Sequence, residues 1–308
     1  MLRYCSFMFL LSKLLNDYAI YDKCEFINEQ PFSVLALTAS ITEKSNCVFL
    51  DDEKFINSIK DNTAMVITNS RMALQLINEH RGVCIVNKPR IVFFKLHNFL
   101  SNNAEYCNKL IDTTVDKSCS ISPYSYIAEQ GVSIGKNTKI EEFVSIKENV
   151  AIGDDCIIRA GAVIGGEGFE FKTDDNCIFP VKHIGSVIID NNVEIQQNTC
   201  IDKAIYPWDV TYIGENTKID NLVHIAHGVR IGKHCEIVAN SGIGGRVVIG
   251  DNCWIGFGAT IRNGLSIGDN ARVNMGAVVT KNVDCNGSVT GNFAIDHELF
   301  LAKQKNIK

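Results

Sequence analysis

The chain has 308 residues, 46% of them hydrophobic, which is enough for two domains of ordinary size with substantial cores. Its formal net charge of −5 and its lack of a basic stripe argue against general nucleic-acid binding. The apolar stretch at the start is interrupted by Lys13, and no apolar run reaches the roughly 18–20 residues that span a bilayer.

Residues 1–115 predict an N-terminal α/β domain that opens with an amphipathic helix. Alternating and continuous apolar runs predict four short strands, at Val34–Leu37, Cys47–Leu50, Ala64–Thr68 and Val83–Val86. Helical spacing predicts three helices, at Phe55–Lys60, Arg71–Glu79 and Ile91–Leu100. The turn-forming string NKPR at 87–90 separates the last strand from the last helix.

A different pattern begins near Ser118 and dominates the rest of the chain. Every sixth residue is aliphatic from Ile134 to Ile164, and again from Ile189 to Val279 with Pro207 as the one exception. A six-residue period fits neither an α-helix nor a simple strand. It indicates a β-helix of hexapeptide repeats, in which three short strands form one triangular coil of about 18 residues. We expect this prism over residues 116–282 and a short helical tail over 283–308.

Two interruptions break the repeat. The segment from Gly165 to Ile188 is long for a compact coil, which predicts a functional or interface element. The segment around Pro207 is shorter and preserves the six-residue count. With residues 18 apart stacked on one face, we expect His227 beside Gly245 and Asp220 above Asp202.

Glycine often follows the inward aliphatic residue, and we expect these glycines to form the corners because glycine tolerates positive φ. A lone prism has no deep pocket, so we also expect an oligomer with sites between subunits. The twelve cysteines are scattered without any CxxC pair, which predicts reduced thiols in a cytoplasmic protein.

The densest polar cluster is the string IDNLVHIAHGVRIG at 219–232, in which His224 and His227 lie outside the repeat core. Two histidines three residues apart suggest metal ligands, but no third ligand has a convincing spacing, so we expect no metal. The string NLVHIAHGVRIG resembles the N-x-x-x-I-A-H-N-V-x-I-G signature of the UDP-3-O-acylglucosamine N-acyltransferases of lipid A synthesis. IGGEGFEF at 164–171, HIGSVIIDNNVEI at 183–195 and NTCID at 198–202 are similar to further strings of that family.

This resemblance implies a left-handed prism, a homotrimer and transfer of an acyl group from a thioester to a sugar amine. His227 would be the general base, Asp220 would orient the amine or the imidazole, and the Gly245 backbone N–H would bind the oxyanion. Glu167 and Phe169 would line the acceptor or acyl site. The resemblance also implies substrate contacts by Asp202 and His224, no tightly bound cofactor, and acyl-CoA or acyl carrier protein as donor.

The departures from the family bear on the substrate. The family's uracil-binding string reads approximately V-x-N-P-Y, whereas residues 86–90 here are VNKPR, so Asn87 and Arg90 become the candidate nucleotide contacts. A second family histidine is replaced by Leu265, and the tail is shorter. These changes leave two substrates open: the lipid A precursor, or a nucleotide-linked dideoxyamino sugar of O-antigen, capsule or glycan that takes a short acyl group from CoA. A non-catalytic scaffold and a γ-carbonic-anhydrase-like metalloprotein are the alternatives from other classes.

Overall fold

The computed structural model describes residues 7–19, 23–76, 81–291, 294–299 and 301. They form an N-terminal α/β unit and a long β-prism, which pack against each other through the two interruptions of the repeat.

The N-terminal unit is built on a five-stranded sheet. Its strands lie in the order Glu25–Ile27, Gly82–Ile85, Thr63–Thr68, Asn46–Leu50 and Val34–Leu35. The first strand runs antiparallel to its neighbour and the other pairs are parallel. The helices are α1 (Leu11–Asp17), α2 (Ser70–Ala73) and α3 (Pro89–Leu100), and Glu53–Ser58 forms a 3₁₀ helix.

The four strands predicted in this unit are present, with ends shifted by up to two residues, and Glu25–Ile27 was not predicted. Helix α3 begins at Pro89 because the fixed φ of proline suits the first helical position. The helix predicted over Arg71–Glu79 is confirmed only as α2; residues 77–79 of that prediction lie outside the described residues.

The prism has three walls of parallel strands. Wall 1 consists of Thr114–Val115, Val132–Ile134, Val150–Ile152, Ser186–Ile189, Val210–Ile213, Arg230–Ile231, Val248–Ile249 and Ser266–Ile267. Wall 2 consists of Ser120–Ile121, Lys139–Ile140, Ile157–Ile158, Glu194–Ile195, Lys218–Ile219, Glu236–Ile237, Trp254–Ile255, Arg272–Val273 and Ser288–Val289. Wall 3 consists of Tyr126–Ile127, Ser145–Ile146, Val163–Gly166, Cys200–Asp202, His224–Ile225, Gly242–Ile243, Thr260–Ile261 and Val278–Val279.

The six-residue period is the spacing between successive walls. The repeated aliphatic residues point inward and form one continuous buried core, in which Ile195, Ile213, Ile219, Ile225 and Ile231 have no exposed surface. Burial of an isoleucine side chain stabilises the fold by about 1.5–3 kcal/mol, so the ladder supplies the main stabilising contacts of the prism. The left-handed parallel β-helix predicted from the sequence is confirmed.

The corners differ from the expectation. Positive φ occurs three residues after the inward aliphatic residue, at positions such as Asn137, Asn216 and Asn252. The glycines that follow the aliphatic residue in the regular coils do not have positive φ, so the expectation for them was wrong; they are Gly135, Gly153, Gly214, Gly232, Gly250 and Gly268. They are small because the next coil approaches closely: a Cβ on Gly232 would lie 2.7 Å from the carbonyl of Gly250.

The first interruption forms a β-hairpin, Phe171–Asp174 paired with Cys177–Pro180, that packs against α3. Lys95 Nζ lies 2.6 Å from Asp174 Oδ2, and Asn98 donates to the carbonyl of Pro180 at 2.7 Å. Buried His97 on α3 contacts the carbonyl of Lys182 through Nε2 at 2.8 Å, and burial lowers the pKa of His97 to about 4. The first interruption therefore attaches the prism to the N-terminal unit of the same chain.

The second interruption changes the stacking. Ile225 pairs with Ile243, 18 residues later, but Ile201 pairs with Ile225, 24 residues later. The extra six residues leave the wall and pack into the N-terminal core, where Trp208 donates to the carbonyl of Leu35 at 2.8 Å. The six-residue count is preserved while the stacking shifts by one strand.

The expectation that Asp220 lies above Asp202 was therefore wrong. Asp202 ends a wall 3 strand next to the strand His224–Ile225, whereas Asp220 follows a wall 2 strand. The Asp220 carboxylate accepts hydrogen bonds from the backbone N–H groups of Asn221 and Ala239, at the corner between walls 2 and 3.

At the end of the chain, the wall strands continue to Ser288–Val289, and residues 297–299 and 301 are helical. Residues 302–308 of the predicted helical tail lie outside the described residues. The described cysteines form no disulfide, and Cys156, Cys235 and Cys253 are buried in the prism. No helix in the described part of the chain is long and apolar enough to cross a membrane.

Candidate active site

A cavity of about 290 Å³ lies between the N-terminal unit and the prism. The N-terminal unit contributes Phe49, Asp51, Phe55, Arg90 and Phe94, and the prism side contributes Glu170, Lys172, Ile205, His227 and Arg246. A concave site is thus formed within one chain, because the N-terminal unit lies against the corner of the prism at which His227 lies.

His227 lies just after the wall 3 strand His224–Ile225, at the corner that leads to wall 1. Its side chain is only 11% exposed, and it faces the cavity. Gly245 lies directly beside the ring in the next coil, where a Cβ would be 2.7 Å from Cε1 and 2.8 Å from Nε2. The expected proximity of His227 and Gly245 is present, and the imidazole fills the space that a side chain at Gly245 would need.

Glu170 is the carboxylate closest to the cavity-facing nitrogen of His227. Its Oε2 lies 3.6 Å from His227 Nε2, while its Oε1 pairs with Lys172. Burial alone raises the pKa of Glu170, but hydrogen bonding and charge from His227 and Lys172 outweigh burial and lower that pKa to about 2. Lys172 Nζ lies 4.4 Å from the ring centre of Phe94 on α3, so Lys172 also contacts the N-terminal unit.

A second imidazole packs against the first. The rings of His183 and His227 meet edge to face with centres 5.4 Å apart, and His183 Nδ1 lies 3.0 Å from the carbonyl of Val181. Burial and the neighbouring His227 lower the pKa of His183 to about 4, so this ring is neutral at pH 7. Among the described residues, His183 Nε2 and His227 Nδ1 are buried without a hydrogen-bond partner.

Asp202 and His224 border the same corner. Asp202 Oδ2 lies 3.8 Å from His224 Nε2, and burial raises the pKa of Asp202 while His224 and His227 oppose that shift. His224 is half exposed on wall 3. A Cβ on Gly168 would lie 2.9 Å from His183 Nε2, 3.1 Å from Asp202 Oδ2 and 3.4 Å from His227 Cδ2. Three polar side chains therefore converge on this glycine.

The remaining predicted residues are scattered. Asp220 lies at another corner of the prism and does not line the cavity of its own chain. Glu167 is exposed, and Phe169 is 90% exposed with its ring centre 4.8 Å from that of Phe171. Arg90 lines the cavity but Asn87 does not.

Arg90 is held at the N-terminal wall of the cavity. Its Nε lies 2.8 Å from Asp51 Oδ2 and its guanidinium lies 5.5 Å from the ring centre of Phe49. Lys88 points elsewhere and pairs with Asp174 and Asp175 of the hairpin, which raise the pKa of Lys88. Two rings, Phe49 and Phe55, and one guanidinium therefore line this end of the cavity.

Comparison with known proteins places this architecture. Residues 131–166 and 211–245 match the family model described as bacterial transferase hexapeptide (six repeats), and residues 246–281 match hexapeptide repeat of succinyl-transferase. The UDP-3-O-acylglucosamine N-acyltransferase of Helicobacter pylori strain 26695 is 30% identical over 220 residues, which cover 64% of this chain and 63% of the relative. The protein of that name from Fusobacterium nucleatum is 33% identical over 181 residues, covering 53% and 54%.

The chain contains hexapeptide repeats and is similar to the UDP-3-O-acylglucosamine N-acyltransferases. It spans less than two thirds of the length of these relatives. A solved structure, the UDP-N-acetylglucosamine acyltransferase from Campylobacter jejuni, is 18% identical and covers 64% of this chain and 82% of its own, with a TM-score of 0.49.

Several residues that line or border the cavity were not predicted from the sequence. The string VFLDDEKF at 48–55 supplies Phe49, Asp51 and Phe55. The sequence signal for this part of the cavity was a pair of aromatic residues flanking acidic residues at the end of a buried strand. Glu170, Lys172 and His183 lie in the first interruption, where no period predicts the direction of a side chain. Among the described residues, no group of three histidine, cysteine or acidic side chains is placed to hold a metal ion.

Proposed function

We propose that the protein is an N-acyltransferase that moves an acyl group from a thioester to the amine of a nucleotide-linked amino sugar. The observation that carries this proposal is the position of His227, an imidazole in the wall of the cavity with the Gly245 backbone against its ring. Its relatives' names support the reaction class. The twelve cysteines, without a disulfide among the described residues, support a cytoplasmic protein.

In this proposal His227 takes a proton from the amine as its nitrogen attacks the thioester carbonyl, and then returns a proton to the sulfur of the leaving group. A positioned base of this kind contributes about 10²–10⁴-fold to the rate. The N–H of Gly245 is the proposed donor to the oxyanion of the tetrahedral intermediate. Because Gly245 has no Cβ, the acyl carbon has room to approach the imidazole.

The N-terminal end of the cavity is the proposed nucleotide site. Phe49 and Phe55 offer apolar faces against which a base can stack, and Arg90 and Arg246 bring positive charge to the same cavity. The fixed pair of Arg90 and Asp51 presents the guanidinium in one orientation. Arg90 therefore remains a proposed contact, whereas Asn87 lies outside the cavity lining.

We propose a homotrimer that packs through wall 3. The first residues of the wall 3 strands carry no lysine, arginine or carboxylate: they are Tyr126, Ser145, Val163, Cys200, His224, Gly242, Thr260 and Val278. Asp202 at the end of one of these strands is buried. Wall 2 instead presents charged residues, among them Lys139, Glu194, Lys218, Glu236 and Arg272. At the corner between walls 2 and 3, Phe143 and Leu222 are 69% and 55% exposed, which suits an apolar interface. Asp220 lies at this corner too, so its proposed role requires a neighbouring copy.

The experiment is a thioester-consumption assay with UDP-, dTDP- and GDP-linked amino sugars as acceptors. Acetyl-CoA, 3-hydroxybutyryl-CoA and 3-hydroxyacyl carrier protein serve as donors. Turnover only with the long-chain carrier protein assigns the lipid A type of reaction, and turnover only with short acyl-CoA assigns the dideoxyamino sugar type. If no combination of donor and acceptor gives acceptor-dependent thioester cleavage, the proposal is refuted and the non-catalytic scaffold is the interpretation that fits.

The matched variants are His227→Ala and His234→Ala. We expect His227→Ala to lose about 10²–10⁴-fold in kcat while its oligomeric state and unfolding temperature stay near those of the wild type. His234 is exposed at a different corner, so His234→Ala removes an imidazole without touching the cavity and keeps wild-type turnover. Near-full activity of the His227 variant removes the proposed base.

A further inference from the structure

As the base of the proposed function, His227 presents Nε2 as an acceptor, and an oxygen of Glu170 faces that nitrogen at the cavity wall. Glu170 Oε2 and His227 Nε2 are 3.6 Å apart, which is longer than a good hydrogen bond between them. Both side chains line the cavity. One nitrogen atom placed between them can lie at about 2.9 Å from each, the usual length of an N–H···O or N–H···N bond. The pair thus offers a site for an atom that carries two hydrogens.

The two oxygens of Glu170 have separate partners. Oε1 pairs with Lys172, whose ammonium also lies over the Phe94 ring, while Oε2 is directed toward His227. This arrangement fixes the carboxylate and leaves one oxygen for the cavity. The ammonium of Lys172 beside this carboxylate lowers the pKa of Glu170 and favours its anion.

We propose that Glu170 is the residue that selects an amine, and not a hydroxyl, as the acyl acceptor. This inference rests on the proposed function. A neutral amine has two N–H groups and donates one to His227 Nε2 and the other to Glu170 Oε2, while its lone pair faces the thioester. A hydroxyl has one hydrogen and satisfies only one of the two acceptors, so the other is left unpaired in a largely buried site. A carboxylate also attracts the ammonium form of an amino sugar before it loses its proton.

The proposed step is balanced without any other reactant. The C–N bond forms as one amine proton passes to His227, and the C–S bond breaks as that proton passes to the departing thiolate. The products are the amide and a free thiol. Glu170 stays ionised throughout and accepts a hydrogen bond from the remaining N–H of the nitrogen.

The test measures binding, so it needs no turnover. UDP-glucosamine and UDP-glucose share every group except that the amine of the first is a hydroxyl in the second. Calorimetric Kd values for both probes are compared in the wild type, Glu170→Gln and Asp175→Asn. We expect the wild type to prefer the amine by about tenfold, which equals about 1.4 kcal/mol, and Glu170→Gln to lose that preference.

Asp175→Asn is the matched control, since it removes one carboxylate from the tip of the same hairpin, where Asp175 is 82% exposed and pairs with Lys88. It keeps the preference for the amine. Glu170→Asp retains the charge and also keeps most of the preference, which separates a charge effect from a packing effect if the glutamine variant proves unstable. An unchanged preference in Glu170→Gln, or its loss in Glu170→Asp, overturns the assignment of Glu170. Failure of the wild type to bind either nucleotide counts against the proposed nucleotide-sugar site itself.

Discussion

At the scale of single residues, His227 packs so closely on Gly245 that no side chain fits between them. A Cβ at Gly245 would lie under 3 Å from two ring atoms, and the ring cannot give way without leaving its place at the cavity wall. We expect Gly245→Ala to lower kcat by about 10²-fold, the size of effect that a displacement of about 1 Å produces. Overpacking would also cost about 1–3 kcal/mol of unfolding free energy.

Gly242 is the control for that substitution. It lies three residues earlier on wall 3, its φ is not positive, and a Cβ there would meet no atom within 4 Å. Gly242→Ala should therefore leave the packing within one prism unchanged, and its oligomeric state is measured as well because Gly242 faces outward on the proposed trimer wall. Steady-state kinetics of both variants, with unfolding followed by circular dichroism, check the pair; equal activity of Gly245→Ala and wild type contradicts the proposed geometry.

The spacing of the sequence predicted the proximity of His227 and Gly245 because both belong to regular coils 18 residues apart. It could not predict Glu170 or His183, because the path of the first interruption depends on its contacts with helix α3 and not on a repeat. The error over Asp220 and Asp202 has the same origin. Six inserted residues preserve the count along the chain but move every later strand by one position in the stack.

At the scale of elements, the prism depends on corners with left-handed backbone. Asn252 has φ of 57° at the corner between walls 1 and 2, and asparagine is more tolerant of this region than other residues with a Cβ. We expect Asn252→Ala to lower the free energy of unfolding by about 1–2 kcal/mol, whereas Asn252→Gly should be nearly neutral because glycine has no Cβ. Urea denaturation of the two variants measures the difference, and equal stability of both would show that the corner is not strained.

The sequence pattern predicted the prism more fully than the N-terminal unit for a physical reason. Each wall strand repeats the same burial, so a single inward residue such as Ile225 or Ile243 predicts its neighbours. The N-terminal strands have no such repetition, and the short edge strand Glu25–Ile27 is mostly half exposed and gives no apolar run. The 3₁₀ helix Glu53–Ser58 buries none of its residues, which explains why its bounds differ from the predicted helix.

At the scale of the whole molecule, both interruptions of the repeat join the prism to the N-terminal unit. The hairpin of the first packs on α3, and the second places Tyr206 and Trp208 in the N-terminal core with their rings stacked 5.5 Å apart. The cavity lies between these two attachments. The two segments that depart from the regular coil are thus the ones that attach the prism to the N-terminal unit and border the cavity.

Two buried histidines at this junction make its stability depend on pH. The pKa values of His97 and His183 are lowered from 6.5 to about 4 by burial, to which the neighbouring His227 adds for His183. Between pH 6.5 and 4 these residues are protonated in the unfolded chain but neutral in the folded one, so the unfolded state binds more protons and stability falls as the pH is lowered. The loss is complete below about pH 4 and is on the order of 3 kcal/mol for fully buried His97.

We expect His97→Gln to flatten this dependence, because glutamine can donate to the carbonyl of Lys182 and does not titrate. Urea denaturation between pH 7.5 and 4.5 measures the slope in both proteins. Trp254→Phe in each background leaves Trp208, which donates to Leu35 at the junction, as the sole tryptophan reporter. The glutamine variant should be less stable than or equal to the wild type at pH 7.5 and more stable near pH 4.5, since the cost of keeping a neutral imidazole in acid is gone. Parallel curves for the two proteins would mean that His97 is not the group whose protonation opens the junction.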